Sequence, residues 1–187
     1  MTATPITEKF HPIAHTAGLP AMDRIHDADS LTHETYLANL GQIVEGTFRD
    51  VTCRAMLVTV PTDTEFGDFM VLDGDTFAAS RAAGANPGNG RIGVMLAGVD
   101  ANVNNLTGDL YGWMVIEGRA IGRMAAGVAD GDVLTNDAAN PGQANTGGAL
   151  DLGARATSAV ATASDTVAVP ATLQNYGIGY GEVYIRG

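Results

Sequence analysis

The sequence has one cysteine, Cys53, so no disulfide can form within the chain and folding cannot depend on one. It has one lysine, Lys9, among its 10 basic residues, which leaves arginine as the cation to expect at any contact. Histidine stops at His33, so a serine or cysteine nucleophile further along would have to draw its general base from the N-terminal region. His11 and His15 are four apart, but Pro12 opposes the helix that would bring both onto one face, and His26 and His33 lie in different local contexts. No metal site is expected from them. No apolar run approaches the ~20 residues that span a bilayer, and Met1 to Ala21 lack the charged start and continuous apolar core of a signal peptide. The expectation is a soluble chain made in the cytoplasm, with no membrane partner, no cofactor and no enzymatic activity.

What is present is acid and glycine. The formal net charge is -11, with acidic residues scattered from Glu8 to Glu182. A phosphate backbone would be repelled across most of such a surface, so nucleic acid is not an expected direct partner. The 24 glycines, with abundant Ala, Val and Thr, fit many short strands joined by flexible turns better than a helical bundle. A chain of 187 residues suits one compact domain with an extension.

Residues 1 to about 40 read as an N-terminal arm: Pro5, Pro12 and Pro20 interrupt it, and no periodicity is sustained. A short helix over Ser30 to Leu40 fits the spacing of Leu37 and Leu40, with Asp29 or Ser30 as its cap and Gly41 as its stop. Residues 41 to 187 read as the β-rich domain. Val51 to Val60 is a β-branched run forming a first hairpin with the pieces Ile43-Val44 and Thr47-Phe48 before it. Phe69 to Leu72, Arg91 to Val99, Leu110 to Ile121, Asp132 to Thr135, Ala149 to Leu152, Ala159 to Val169 and Gly177 to Arg186 continue the series. In the last of these Ile178, Tyr180 and Tyr184 share one face. The fold class is all-β, a small β-barrel or β-sandwich with an extended N-terminal arm. Ser80 to Gly90 and Asn136 to Gly148, rich in Asn, Ala, Gly and Pro, read as exposed loops.

The motifs that hint at chemistry have plainer readings. Gly88-Asn-Gly90-Arg-Ile-Gly93 has the spelling of a dinucleotide fingerprint, but it leads into a strand pattern, where a phosphate site needs a helix N-terminus. Asp73-Gly-Asp75 and Asp130-Gly-Asp132 read as turns, because neither continues into the spaced oxygens of a calcium loop. Cys53, inside an apolar run, reads as a small buried residue. Tyr111, Trp113, Tyr176, Tyr180 and Tyr184 read as core or subunit contact in preference to a sugar-binding face.

The densest signal is Tyr111-Gly-Trp113-Met-Val-Ile-Glu117-Gly118-Arg119-Ala120, followed by Val128-Ala-Asp130-Gly131-Asp132-Val133-Leu134. It reads as a strand, a tight glycine-marked reversal and the entry of a second strand, with Gly118 and Gly131 supplying backbone freedom where a β-structure turns or bulges. Leu110 to Gly122, Ala125 to Leu134 and Gly148 to Gly153, with the opening Leu40 to Glu45 and the terminal Gly181 to Ile185, resemble the decoration or cement proteins of tailed-bacteriophage heads. The resemblance covers most of residues 40 to 187. It implies a virion structural protein on the outer capsid surface, whose partners are the major capsid protein and sister copies of itself, as a dimer or trimer. Tyr111, Trp113, Arg119, Arg24, Tyr180 and Tyr184 are the interface residues expected on this reading. A head-associated receptor- or glycan-binding protein is the alternative.

Overall fold

A computed structural model describes residues 11–12, 19–27, 39–48, 50–84, 90–99, 106, 108–157 and 179–186. No helix occurs among them; the regular structure is 12 strands in one antiparallel sheet. In chain order these are β1 (His11–Pro12), β2 (His26–Asp27), β3 (Ile43–Phe48), β4 (Val51–Val60), β5 (Phe69–Leu72) and β6 (Ala79–Arg81). There follow β7 (Arg91–Met95), β8 (Leu110–Arg123), β9 (Val133–Asn136), β10 (Ala144–Asn145), β11 (Asp151–Ala156) and β12 (Tyr180–Ile185). The main path runs β1-β3-β4-β8-β12-β11-β9-β10, with β2 and β7 also on β8, β5 on β7 and β6 on β5. The all-β class expected from the sequence is therefore the one adopted. The sheet is open: the path does not close on itself among the described residues. The expected helix over Ser30 to Leu40 and the strand over Ala159 to Val169 fall mainly or wholly outside those residues.

β8 organises the rest. Its first half pairs with β4 from Leu110 against Val60 to Glu117 against Arg54, and its second half pairs with β12 from Gly118 against Ile185 to Arg123 against Tyr180. Trp113, Met114, Val115 and Ile116 are consecutive and all buried, which a strand can satisfy only when both of its faces are covered. Trp113 and Val115 join one apolar cluster, Met114 and Ile116 the other. β4 divides in the same way, with Cys53, Ala55 and Leu57 on one side and Met56, Val58 and Val60 on the other. From Glu117 onward β8 alternates, with Gly118, Ala120 and Gly122 inward and Glu117, Arg119, Ile121 and Arg123 partly exposed.

The change of regime falls at Gly118. The sequence left a turn or a bulge open at this glycine, and the chain continues through it in one 14-residue strand. What occurs is a bulge: Arg54 faces Glu117 while Ala55 faces Val115, so Ile116 is the extra residue. Gly118 has φ 97, and a Cβ there would meet Thr52 O at 2.7 Å and Cys53 Sγ at 2.8 Å. Both the backbone conformation and the space require glycine. The reversal comes later, at Gly127 and Gly131, both with positive φ.

Gly118→Val should lower stability by ~2–4 kcal/mol through strain and overlap, whereas Gly74→Ala, whose added carbon meets nothing within 4 Å, should change it by less than ~0.5 kcal/mol. Urea midpoints of the two variants check this. Equal midpoints would mean that the bulge does not constrain the fold.

Candidate interaction surface

The six expected interface residues do not lie together. Trp113 is 0% exposed, and its Nε1 donates to Pro20 O at 3.2 Å, so it is a core residue that pins the segment from Leu19 to Asp27. Tyr111 is half-buried on β8 opposite His26, and Tyr180 is buried against Phe66, their ring centroids 5.9 Å apart. Arg24 is exposed on the turn before β2. The structure brings together only Arg119 and Tyr184, which face each other across β8 and β12.

Those two belong to a row crossing the outward face. Arg119 on β8 faces Tyr184 on β12, Tyr184 faces Arg155 on β11, and Arg155 faces Val133 on β9. Directly opposed residues share a face, so the four side chains form one stripe. Tyr184 is 41% and Val133 44% exposed, unusual for large apolar groups in a chain that covers its other strand interiors well. On the far side of Gly118 the stripe continues as Glu117, Arg54 and Glu45, in register across β8, β4 and β3.

The charges along the stripe are unevenly satisfied. Arg54 Nη1 donates to Glu117 Oε2 at 3.3 Å, and its Nε lies 4.0 Å from Glu45 Oε1. Arg119 Nε lies 2.8 Å from Glu182 Oε1, which also accepts from Thr157 Oγ1. Arg155 instead donates Nη1 to the carbonyl of Gly131 at 3.2 Å, which orients the guanidinium without cancelling its charge. Among the described residues, the end of the stripe without an ion pair therefore lies at β12, β11 and β9.

A second polar group, not expected from the sequence, lies under the loop between β4 and β5. Asp68 is fully buried; its Oδ2 accepts from the Glu65 amide at 2.8 Å and lies 2.9 Å from Arg81 Nε, while Oδ1 accepts from Arg123 Nη1. Glu65 reaches both arginines, at 3.4 Å and 3.2 Å, and Asp63 reaches Arg81 at 3.1 Å. Burial pushes the Asp68 carboxyl up, against the Glu65 amide and the two guanidiniums that pull it down. The only signal in the sequence was an Asp between Gly67 and the apolar Phe69, which does not distinguish a buried acid from a turn. The cluster ties β6 and the end of β8 to one loop and has the geometry of a latch.

The other candidates resolve simply. Cys53 is 0% exposed, its Sγ donates to Val51 O at 3.2 Å and accepts from the Arg119 amide at 3.2 Å, and burial raises the thiol pKa. His26 Nε2 lies 2.9 Å from Ala21 O. Asp73 and Asp132 accept local amides, from Asp75 and Ala129, and so close turns. Among the described residues no group of three or more His, Cys, Asp or Glu could hold a metal. Gly90 precedes β7 and Gly93 lies within it; a Cβ would overlap Leu72 O at the first and meet Val115 O at 2.8 Å at the second, so both allow close strand contact.

The two expected exposed loops hold in part: Gly84, Ala138 to Pro141 and Thr146 and Gly147 are exposed, but several of their other positions are not. Ser80 and Arg81 belong to β6 and Ala82 is fully buried. In Asn136 to Gly148, Asn136 and Ala144 are fully buried, Asn136 Oδ1 accepts the Leu150 amide at 2.8 Å, and Nδ2 donates to Gly84 O at 2.6 Å. A side-chain amide there satisfies backbone groups that a polar composition alone assigns to water. Compared with known proteins, the chain matches no family model, no curated protein and no solved structure.

Asp68 has a folded-state pKa raised above its unfolded value, so its contribution to stability is full below the unfolded pKa and is lost as pH rises through the folded one. Arg81→Ala removes a compensating cation and widens that window. It should cost about 3 kcal/mol at neutral pH, with the deficit shrinking on acidification as Asp68 takes up its proton. Denaturation midpoints across the acid range check this, and a deficit independent of pH would show that the latch is not electrostatic.

Proposed function

We propose that the chain is a virion structural protein that binds the outer surface of a tailed-phage capsid and stabilises contacts between major capsid proteins, a decoration or cement role. The observation that carries this reading is the exposed row of Tyr184, Arg155 and Val133 on a sheet whose other face is packed. Tyrosine and arginine, held on a rigid support at low entropic cost, are the residues that dominate protein contacts. The resemblance to decoration proteins through Leu110 to Gly122 and Gly181 to Ile185 points the same way. The residues drawn from that resemblance divide into roles: Trp113 and Tyr180 support the surface, and Arg119 and Tyr184 belong to it.

The finer architecture is part of the same proposal. One apolar cluster contains Leu57 and Trp113 from the β4–β8 half together with Leu134, Leu152, Val183 and Ile185 from the β9–β12 half, as in a small sandwich or barrel. Residues 1 to 40 serve as an arm, with Pro20, His26 and Asp27 held against β8 and Arg24 exposed. A decoration protein needs no tight single contact. Repetition over a lattice, with dimers or trimers of the chain, multiplies modest ones through effective concentration.

The chain should be present in a fixed ratio to the major capsid protein on purified particles of the virus that encodes it, and particles lacking it should release DNA at lower temperature. Mass spectrometry of particles and thermal release assays read these outcomes. Particles without the chain, or turnover of a substrate by the isolated protein, would refute the role. Binding on a glycan array in place of capsid binding would favour a head-associated receptor- or glycan-binding protein, with Tyr184 as its stacking group.

A further inference from the structure

β11 is irregular where it meets β9. Asp151 faces Thr135 and Ala154 faces Leu134, so two residues, Leu152 and Gly153, are extra on the β11 side. Leu152 turns into the core and is fully buried, while Gly153 faces outward with φ 59. A Cβ on Gly153 would find only the carbonyl oxygen of Arg186, 4.0 Å away. The missing side chain leaves a hollow of about 170 Å³, lined by Val133, Asp151, Gly153, Ala154, Arg155 and Arg186.

Its charges favour one kind of occupant. Arg155 and Arg186 border the hollow, and neither has a carboxylate partner among the described residues. Asp151 also lines it, its Oδ1 accepting the Gly153 amide at 2.8 Å, which closes the bulge; its one negative charge against the two guanidiniums leaves the lining net positive. Arg155 is held in place by the Gly131 carbonyl. Two guanidiniums against one carboxylate, with no ion pair among the described residues, stand out in a chain of net charge -11, whose other outward arginines on the stripe are paired with Glu117 and Glu182. Guanidinium binds carboxylate in a directed, charge-assisted way, and exposed Tyr184 and Val133 beside the pair offer apolar cover for the stem of an acidic side chain.

We infer that this hollow is a docking site for an acidic segment of a partner protein, whose Asp or Glu carboxylate enters between Arg155 and Arg186 while Tyr184 and Val133 pack its flanks. The identity of that partner as a capsid protein rests on the function proposed above; the chemistry of the site does not. Complementary charge on the partner would also speed its encounter with an otherwise acidic chain and make the contact salt-sensitive.

The test places a photo-crosslinker in the full chain, Val133→p-benzoylphenylalanine, in the cells where the protein is naturally made, with Asp75→p-benzoylphenylalanine in an exposed turn as control. The expected result is a crosslink from position 133 to an acidic peptide of another protein, identified by mass spectrometry and absent from position 75. It should fall at least tenfold when Arg155→Glu and Arg186→Glu are added, and with raised salt. Tyr184→Ala, expected to weaken the same crosslink, serves if the double charge reversal does not fold. No crosslink above the control, a basic or apolar peptide, a sister copy as the captured chain, or insensitivity to charge reversal would each overturn the inference. An acidic peptide from a protein outside the capsid would uphold the docking site and refute the capsid role. Particles that carry the chain but give no acidic crosslink from position 133 would do the reverse.

Discussion

The structure depends on one strand being covered on two faces and then on one. Over Trp113 to Ile116 every side chain of β8 is buried, and the strand can exist there only because β4, β7 and β5 spread apolar residues to both sides of it. Past Gly118 the same strand has a polar outward face. The bulge lets a single strand serve both regimes without a break, so the doubly covered half anchors the half that meets solvent. Whatever the outward row of Arg119, Tyr184, Arg155 and Val133 does, its geometry is inherited from a buried segment that cannot shift register without moving Trp113 and Met114.

The parts legible in the sequence were those in which local pattern and tertiary role agree. The β-branched run of Val51 to Val60, the continuous apolar Trp113 to Ile116 and the alternation around Tyr184 each declare a strand, and each is one. The positions left open or misread are those where a residue type has two physical uses. Gly118 can turn a chain or relieve a crowded strand crossing, and only the position of Cys53 distinguishes the two. Asn136 can face water or replace a backbone partner, and the Leu150 amide decides it. Trp113 is the largest side chain available either to a core or to a contact, and two-sided burial sends it inward.

The candidate site was legible only in halves. Tyr184 and Arg119 were visible as an aromatic and a cation on strands, but their neighbours Arg155 and Val133 come from elements far away in sequence, joined by pairings that no local pattern encodes. The hollow beside them was less legible still, because it is made by an absent side chain at Gly153 and by two extra residues in one strand. The Asp68 latch was hidden for a related reason: its partners Arg81 and Arg123 are brought to it only when β6 and β8 are in place.

Cys53 gives the molecule a built-in reporter. Its thiol is enclosed at the bulge, hydrogen-bonded to the two strands that meet there, with burial holding it in the protonated, unreactive form. An alkylating reagent can reach this sulfur only when β4 and β8 part. Since the chain has no other cysteine, the rate of its modification measures how often the centre of the sheet opens, on the free protein and in any assembly, without a label being added.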